Sequence, residues 1–543
     1  MKNTMRKASI VVISFVVVAF GQPAWVPWLG LVAAVCGYAL LWRSLSSVGS
    51  KKRRFFVASS WFCCVQLIQL SWMTSIEYVG GGLIVAYLLL SIMMGLQFGV
   101  VSFFVEIDKK VRTFLIVPAL WVLMEWMRLF LFSGFTFNPV GLSFAGSIYP
   151  LQMASLFGVY GLSFVVIATN ILVFFSISAP KKILSWAIVG IFVVTPFIFG
   201  FFHLNDGSDG DDAVSVVLVQ TALTPEEKYG LCRGDGVSLS PYDQWLYILS
   251  YLEDSGVDDA DFIIFPENTV PLGVSVPAYR YDEVVESLRI FFGDAIFAAL
   301  PPLSEPYYYE GGRLVSNSFW AQSLANVFGA DVIVGLEDVE GYDVYTSAVV
   351  FVPGGASFRR YDKRILLPMG EYIPFTFLES LARRFGVEGS FSRGVSGRVF
   401  DHDVMPYSVS ICYEETFGNI IRQDRRDGAK LLINITNDVW YPNSRLRLQH
   451  FHHGRLRSVE NGVPLVRACN TGVTGVVDNA GRVQDTFGEG RYGEEWRRGA
   501  LVVSVPISSY DTLYSRYGDW LIVVVSFIML CVGMLGIAYR KSG

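Results

Sequence analysis

Seven apolar runs in the first 202 residues and an eighth near the C-terminus decide what this chain can fold into. They span about 8–20, 28–42, 55–72, 83–105, 113–132, 155–178, 183–202 and 520–539. A helix needs roughly 20 mostly apolar residues to cross a bilayer. Only a helix, moreover, satisfies every backbone N–H and C=O within one such segment. The composition agrees, at 52% hydrophobic and 17% charged, too apolar for an ordinary soluble protein. The expected class is a multi-domain membrane protein with an eight-helix transmembrane bundle. The first run is short and follows Lys2, Arg6 and Lys7, as a cleavable leader would. No small-x-small cleavage site follows it, so a retained helix is expected, and cleavage would leave the remaining topology unchanged.

Loop charges orient the bundle. With eight segments threaded in order, Lys2/Arg6/Lys7, Arg43 with Lys51–Arg54, Lys109/Lys110/Arg112, Lys181/Lys182 and Arg540/Lys541 all fall on one side. The intervening loops "TSIEYVGGG" and "SGFTFNPVGLSFAGSIYP" carry no Lys or Arg. The positive-inside rule then puts both termini in the cytoplasm and the long segment between the seventh and eighth helices outside. Inside the fifth run, Glu125 and Arg128 share a helix face. They serve either as a mutually neutralising pair or in handling a lipid headgroup.

The outer segment opens at an acidic, Gly-rich junction, "NDGSDGDD", and runs to about residue 508. Short β-branched runs such as "VSVVLVQ", "DFIIFPE", "ADVIVGLED", "YTSAVVFVPGG", "YSVSICYE" and "KLLINITND" are apolar on both faces. Helices layered over a sheet are therefore expected, an α/β domain. The division is 1–207 for seven helices, 208–508 for the outer domain, and 509–543 for the eighth helix and a short tail. A net charge of -5 without a long basic tract argues against nucleic acid. The seven cysteines (36, 63, 64, 232, 412, 469, 531) include no CxxC pair, and no His cluster has metal spacing, so no metal, cofactor or disulfide framework is expected. Only Cys232, Cys412 and Cys469 lie in the outer domain. An odd number there leaves at least one thiol free unless it pairs with another chain.

Three strand ends carry groups that can do chemistry: Glu267 in "IIFPENTVP", Lys363 and Glu371 in "RRYDKRILLPMGEYIP", and Cys412 in "VSICYEE". Sites in α/β sheets collect at the carboxyl ends of strands. Taken singly, each has an ordinary alternative as a cap, a solvated charge or a core thiol. Taken together and in this order, they resemble the Glu-Lys-Cys triad of the nitrilase superfamily. The "GEY" and "ICYE" variants, joined to membrane helices, are similar to its membrane-anchored branch, the apolipoprotein N-acyltransferases. "NITNDVWY" and "QHFHHGRLRSVENGVPLVRACNTGVTGVVD" follow that family's order.

The resemblance implies an α-β-β-α sandwich in the periplasm of a bacterial inner membrane, acting as a monomer without cofactor or metal. It implies Glu267 as general base, Lys363 as the cation supporting thiolate and oxyanion, and Cys412 as the nucleophile that carries an acyl group. A thiol is mostly protonated at neutral pH, so it needs such neighbours. Glu371 is implied to orient Lys363 or the incoming amine, and Tyr413 and Glu414 to fix the nucleophile loop. Tyr229 stands where the family has Trp, while Asn437, Asp438 and Trp440 are implied as pocket wall. Phe265 and Val463 also depart from the family's usual Trp and Arg, which bears on lipid preference. The implied donor is a membrane phospholipid and the implied acceptor the amine of a diacylglyceryl-lipoprotein. Two alternatives remain: a tethered amidase with water as acceptor, and a transporter or receptor with a vestigial triad. The stretches "LLPMGEYIPFTFLESL" and "YPNSRLRLQHF" are expected either as lipid-contacting flaps or as helices covering the sheet.

Overall fold

The computed structural model describes residues 2–131, 133–179, 183–205, 213–230, 238–303, 307–309, 312–368, 370–373, 391–487 and 496–541. Among them, five helices are long and apolar enough to cross a membrane: Pro27–Leu45, Gly82–Phe103, Lys110–Phe130, Ala154–Ser178 and Ile183–Asn205. The other three expected crossings are helices of weaker character. Lys2–Phe20 and Lys51–Gln69 carry basic first turns, and the apolar part of the C-terminal helix runs Trp520–Leu535.

Packing of the bundle turns on a few buried polar groups. The second crossing has a π turn at Ala33–Gly37, which takes backbone groups out of helical register. Asn170, fully buried on Ala154–Ser178, meets them. Its Oδ1 accepts from the N–H groups of Tyr38 and Ala39, and its Nδ2 donates to the carbonyls of Ala33 and Ala34. Glu125 and Arg128 pair at 3.5 Å. Glu125 Oε1 also accepts from the Trp121 indole at 2.8 Å and Val140 N–H at 2.9 Å, as a charge away from water must.

The outer segment is a two-sheet sandwich. One six-stranded sheet has the order Gly499–Pro506, Ala213–Gln220, Phe262–Ile264, Asp331–Glu340, Asp343–Phe351, Arg359–Asp362. The other has the order Val483–Thr486, Gly475–Val477, Leu465–Cys469, Leu431–Thr436, Tyr407–Ile411, Val399–Phe400. Three central strands of each sheet are mutually parallel. The sheets face each other through Val216, Leu218, Ile264 and Ile333 on one side and Val409, Ile411, Ile433 and Ile435 on the other. Helices Pro241–Asp254, Tyr281–Phe292 and Asn317–Phe328 cover the first sheet; Gly418–Arg426 and Leu446–Asn461 cover the second. Both faces of each sheet are thus apolar, which accounts for the unbroken β-branched runs.

Sandwich and bundle share one hydrophobic cluster. Tyr413, Phe417, Tyr441, Leu446, Leu456 and Val459 are buried in it with Phe137, Trp72 and Val159. Polar ties stitch the same seam: Gln449 to the carbonyl of Gln69 at 2.7 Å, Arg445 to that of Ala24 at 3.0 Å, and Val159 N–H to Glu460 at 2.8 Å. The stretch "YPNSRLRLQHF" is therefore seam and covering helix rather than a lipid flap. In the other stretch, residues 374–381 lie outside the described residues.

Gly335 allows the first sheet to approach the chain carrying Glu267. Thr269 N–H donates to its carbonyl at 2.7 Å, and a Cβ there would stand 2.3 Å from the Pro266 carbonyl oxygen and 2.6 Å from Glu267 Cα. Both are backbone atoms and cannot swing aside. Gly335→Ala is expected to lose about 1–3 kcal/mol, the usual cost of overpacking, read as a lower midpoint of thermal unfolding in detergent.

Candidate active site

Glu267, Lys363 and Cys412 stand at the ends of three strands. Phe265 N–H continues the ladder past Phe262–Ile264 by donating to Ile333 at 2.8 Å; the chain then turns through Asn268, at φ 47°, and Glu267 is left at the sheet's end. Lys363 follows Arg359–Asp362, and its backbone is pinned by Thr346 and Gly394 at 2.9 Å each. Cys412 follows Tyr407–Ile411 and opens a 3-10 turn, Cys412–Thr416. Its φ of 52° is left-handed, a strained conformation for a residue with a Cβ.

These side chains converge. The Lys363 ammonium donates to Glu267 Oε1 at 2.8 Å and to Glu371 Oε1 at 2.5 Å, and the Cys412 thiol lies close enough to feel the charges of both Glu267 and Lys363. Lys363 is 1% exposed, so its attraction to the two acids is little screened. Burial pushes the Cys412 thiol well above its usual range and Glu267 pushes it further, against the pull of Lys363. Burial also raises Glu267, with Lys363 opposing. For Lys363, burial alone would favour the neutral amine, but Glu267 and Glu371 outweigh it and hold the cation. The thiol thus rests protonated, beside a carboxylate able to take its proton and an ammonium able to stabilise the resulting negative charge.

The remaining expected residues divide by position. Glu371 bridges Lys363 and the Leu367 N–H, the latter at 2.8 Å. Glu414 is fully buried; one oxygen accepts from Ile411 N–H at 2.8 Å and Tyr361 OH at 2.7 Å, the other from Arg364 N–H at 2.5 Å and Ile365 N–H at 3.0 Å. It therefore ties the nucleophile turn to the Lys363 turn. Tyr413 points away into the seam, stacking on Phe137 and donating to the Gly134 carbonyl at 3.0 Å. Tyr229 lies beside Glu267 and Glu337 and contacts Asn268; burial raises its hydroxyl well above the usual value. Asn437 braces two loops rather than facing the thiol, accepting from Val439 N–H at 3.3 Å and Asn470 Nδ2 at 2.9 Å. Trp440 reaches Tyr78 of the bundle, 6.4 Å between ring centres. Phe265 and Val463 are core residues, wholly buried.

Of the layer beneath Cys412, sequence reasoning marked only Asp438, as pocket wall. Glu415, Arg467, Asp438 and His450 form a buried charged group there. The signal was the second acid of "CYEE" and the first His of "QHFHH", both polar residues in stretches that pack inward. Lys228, in "EEKYG", is also buried; burial pulls its amine down to about 7, against the upward pull of Glu267 and Glu337.

Comparison with known proteins follows the same division. The family described as "Carbon-nitrogen hydrolase" matches residues 232–499, and "Apolipoprotein N-acyltransferase N-terminal domain" matches 11–172. The chain is 34% identical to the apolipoprotein N-acyltransferase of Chlamydia caviae, with 96% of each covered. It is 32% identical to that of Chlamydia trachomatis serovar D, covering 99% of this chain and 98% of the other. The solved structure of Saccharomyces cerevisiae Nit3, of the nitrilase superfamily, is similar over 55% of this chain and 92% of that one, at 17% identity and a TM-score of 0.35.

Replacing Glu414 with Ala orphans four donors at once, and a buried unpaired group costs about 1–3 kcal/mol. Glu414→Ala is expected to unfold several degrees lower than the parent, with Glu414→Gln intermediate because its amide oxygen still accepts. Thermal unfolding followed by near-UV circular dichroism checks the order.

Proposed function

The chain belongs to the apolipoprotein N-acyltransferase family, and from that premise we propose that Cys412 carries a fatty acyl group from a membrane phospholipid to the α-amine of a lipoprotein's N-terminal diacylglyceryl-cysteine. The observation that supports this reading is the Lys363 ammonium that Glu267 and Glu371 share, with the Cys412 thiol within reach of the charges of Glu267 and Lys363. In the first half-reaction the thiol proton passes to Glu267 as sulfur attacks the ester carbonyl. Lys363 and the Tyr413 backbone N–H face the oxyanion, the C–O bond breaks, and Glu267 returns the proton to the lysophospholipid oxygen. In the second, the neutral amine attacks the thioester, loses a proton to Glu267, and the C–S bond breaks to give the amide. The thiolate leaves as the thiol by recovering that proton. A thioester suits the task because it resists water yet yields readily to an amine, and holding it beside the bilayer keeps the acyl chain in apolar surroundings.

In this reading residues 1–207 and 509–543 supply eight crossings of the bacterial inner membrane, both termini are cytoplasmic, and 208–508 is a periplasmic catalytic domain working as a monomer. The placement of basic residues supports the orientation. The site needs no cofactor or metal: base, cation and nucleophile are all side chains.

Intact-protein mass spectrometry after exposure to phospholipid without acceptor should show an acyl-sized increment on the wild type and none on Cys412→Ala. A lipopeptide amine should remove it faster than water does. Equal loss to water would favour an amidase, and no increment at all would defeat the reading. Lys363→Ala should slow thioester formation by about 100- to 1,000-fold, the scale of a lost oxyanion partner. For topology, a tag inserted at the Tyr342 hairpin tip should be reached only from the periplasm and one after Gly543 only from the cytoplasm.

A further inference from the structure

The 3-10 turn that begins at Cys412 rests on an imidazole. His450, on helix Leu446–Asn461 and 2% exposed, approaches the Cys412 carbonyl oxygen with Nε2 at 3.1 Å and Asp438 Oδ1 with Nδ1 at 3.0 Å. Glu415 Oε1 also lies 3.1 Å from Nε2, and Arg467 pairs with that same oxygen at 2.7 Å. Both ring nitrogens therefore face acceptors. A neutral imidazole has one N–H and would leave a lone pair against a carbonyl or a carboxylate; only the imidazolium donates in both directions.

We propose that His450, as the imidazolium, is a positioning residue for the acyl-carrying cysteine: by donating to the Cys412 carbonyl it holds the left-handed turn that sets the sulfur against Glu267 and Lys363. The strained φ of 52° needs such a restraint, because nothing in the residue itself favours it. Asn434 Nδ2 assists at 3.3 Å from the same carbonyl. The titratable and charged groups around the ring are Asp438 on the 3-10 turn Asp438–Trp440, Glu415 on the turn Cys412–Thr416, Arg467 on strand Leu465–Cys469, and His453 one turn along its own helix, which burial and the neighbouring Arg457 hold well below its ordinary value. Burial acts against the imidazolium; Glu415 and Asp438 outweigh burial and the opposing Arg467 and raise His450 above its ordinary value.

The inference rests on Cys412 carrying the acyl group, and the variants separate the two claims. The side-chain amide nitrogen of Gln reaches the position of Nε2, whereas that of Asn reaches the position of Nδ1. Thioester formation from phospholipid vesicles in a single turnover, followed by intact mass, should slow by about 100-fold in His450→Asn, the scale of a misplaced reacting atom. In His450→Gln it should recover at least tenfold of that loss. Equal rates in the two variants, or a wild-type rate in His450→Asn, overturn the inference while leaving the acyl carrier intact; absence of a thioester in the wild type defeats the carrier itself. Asp438→Asn keeps an acceptor for Nδ1 but removes the charge that favours the imidazolium. It should move the alkaline fall of the acylation rate to lower pH, and an unchanged pH profile overturns the inference even if the His450 variants fail to fold.

Discussion

One ammonium shared between two carboxylates organises the candidate site of this molecule. Lys363 is buried, and a lone cation there would cost several kcal/mol in lost hydration. Glu267 and Glu371 make that burial tolerable, but only if the ends of two strands and the Pro368–Tyr372 turn keep their carboxylates within about 3 Å of one nitrogen. The pairing thus fixes three segments of chain at once. It also holds Glu267 within reach of the Cys412 thiol, so the interaction that makes the burial possible also positions the proposed proton acceptor.

The two acids after the nucleophile divide the work of holding its turn. Glu414 faces the Lys363 side and collects donors from Ile411, Tyr361, Arg364 and Ile365. Glu415 faces the opposite way, toward Arg467 and His450. Between them the strained Cys412 backbone is braced from both flanks, with buried charge and hydrogen bonds supplying the restraint that backbone preference does not. Tyr413, between Cys412 and these acids, faces the helical bundle, where its ring stacks on Phe137.

That stacking shows how the sandwich is seated. The cluster that fills the helical bundle continues without a break into Tyr413, Phe417, Tyr441 and Leu446, so the nucleophile turn is packed against membrane helices rather than hung from a linker. A seam this apolar, with the Gln449, Arg445 and Glu460 ties across it, fixes the Cys412 turn against the helical bundle. Acyl transfer between two lipid-anchored substrates benefits from that arrangement, since both reacting groups arrive along the same surface.

Much of this was legible in the residues. Apolar runs marked the helices of Gly82–Phe103, Lys110–Phe130, Ala154–Ser178 and Ile183–Asn205 because a bilayer imposes length and composition on any segment that crosses it. Weaker runs such as Lys51–Gln69 carry charge and amide groups that only the surrounding helices make tolerable. Unbroken β-branched runs foretold a sheet covered on both faces, and Glu267, Lys363 and Cys412 stood at strand ends in a recognisable order. The strand order, the seam and the layer beneath the cysteine were not legible, since His450, Glu415, Asp438 and Arg467 meet across 12 to 52 positions of sequence and nothing local marks a polar residue as buried. Sequence by itself determined which segments must be apolar helices or strands and which groups can do chemistry, because those follow from solvent and residue type. Only the tertiary structure decided which charges share a site, because pairing of buried charge depends on distances that chain order does not contain.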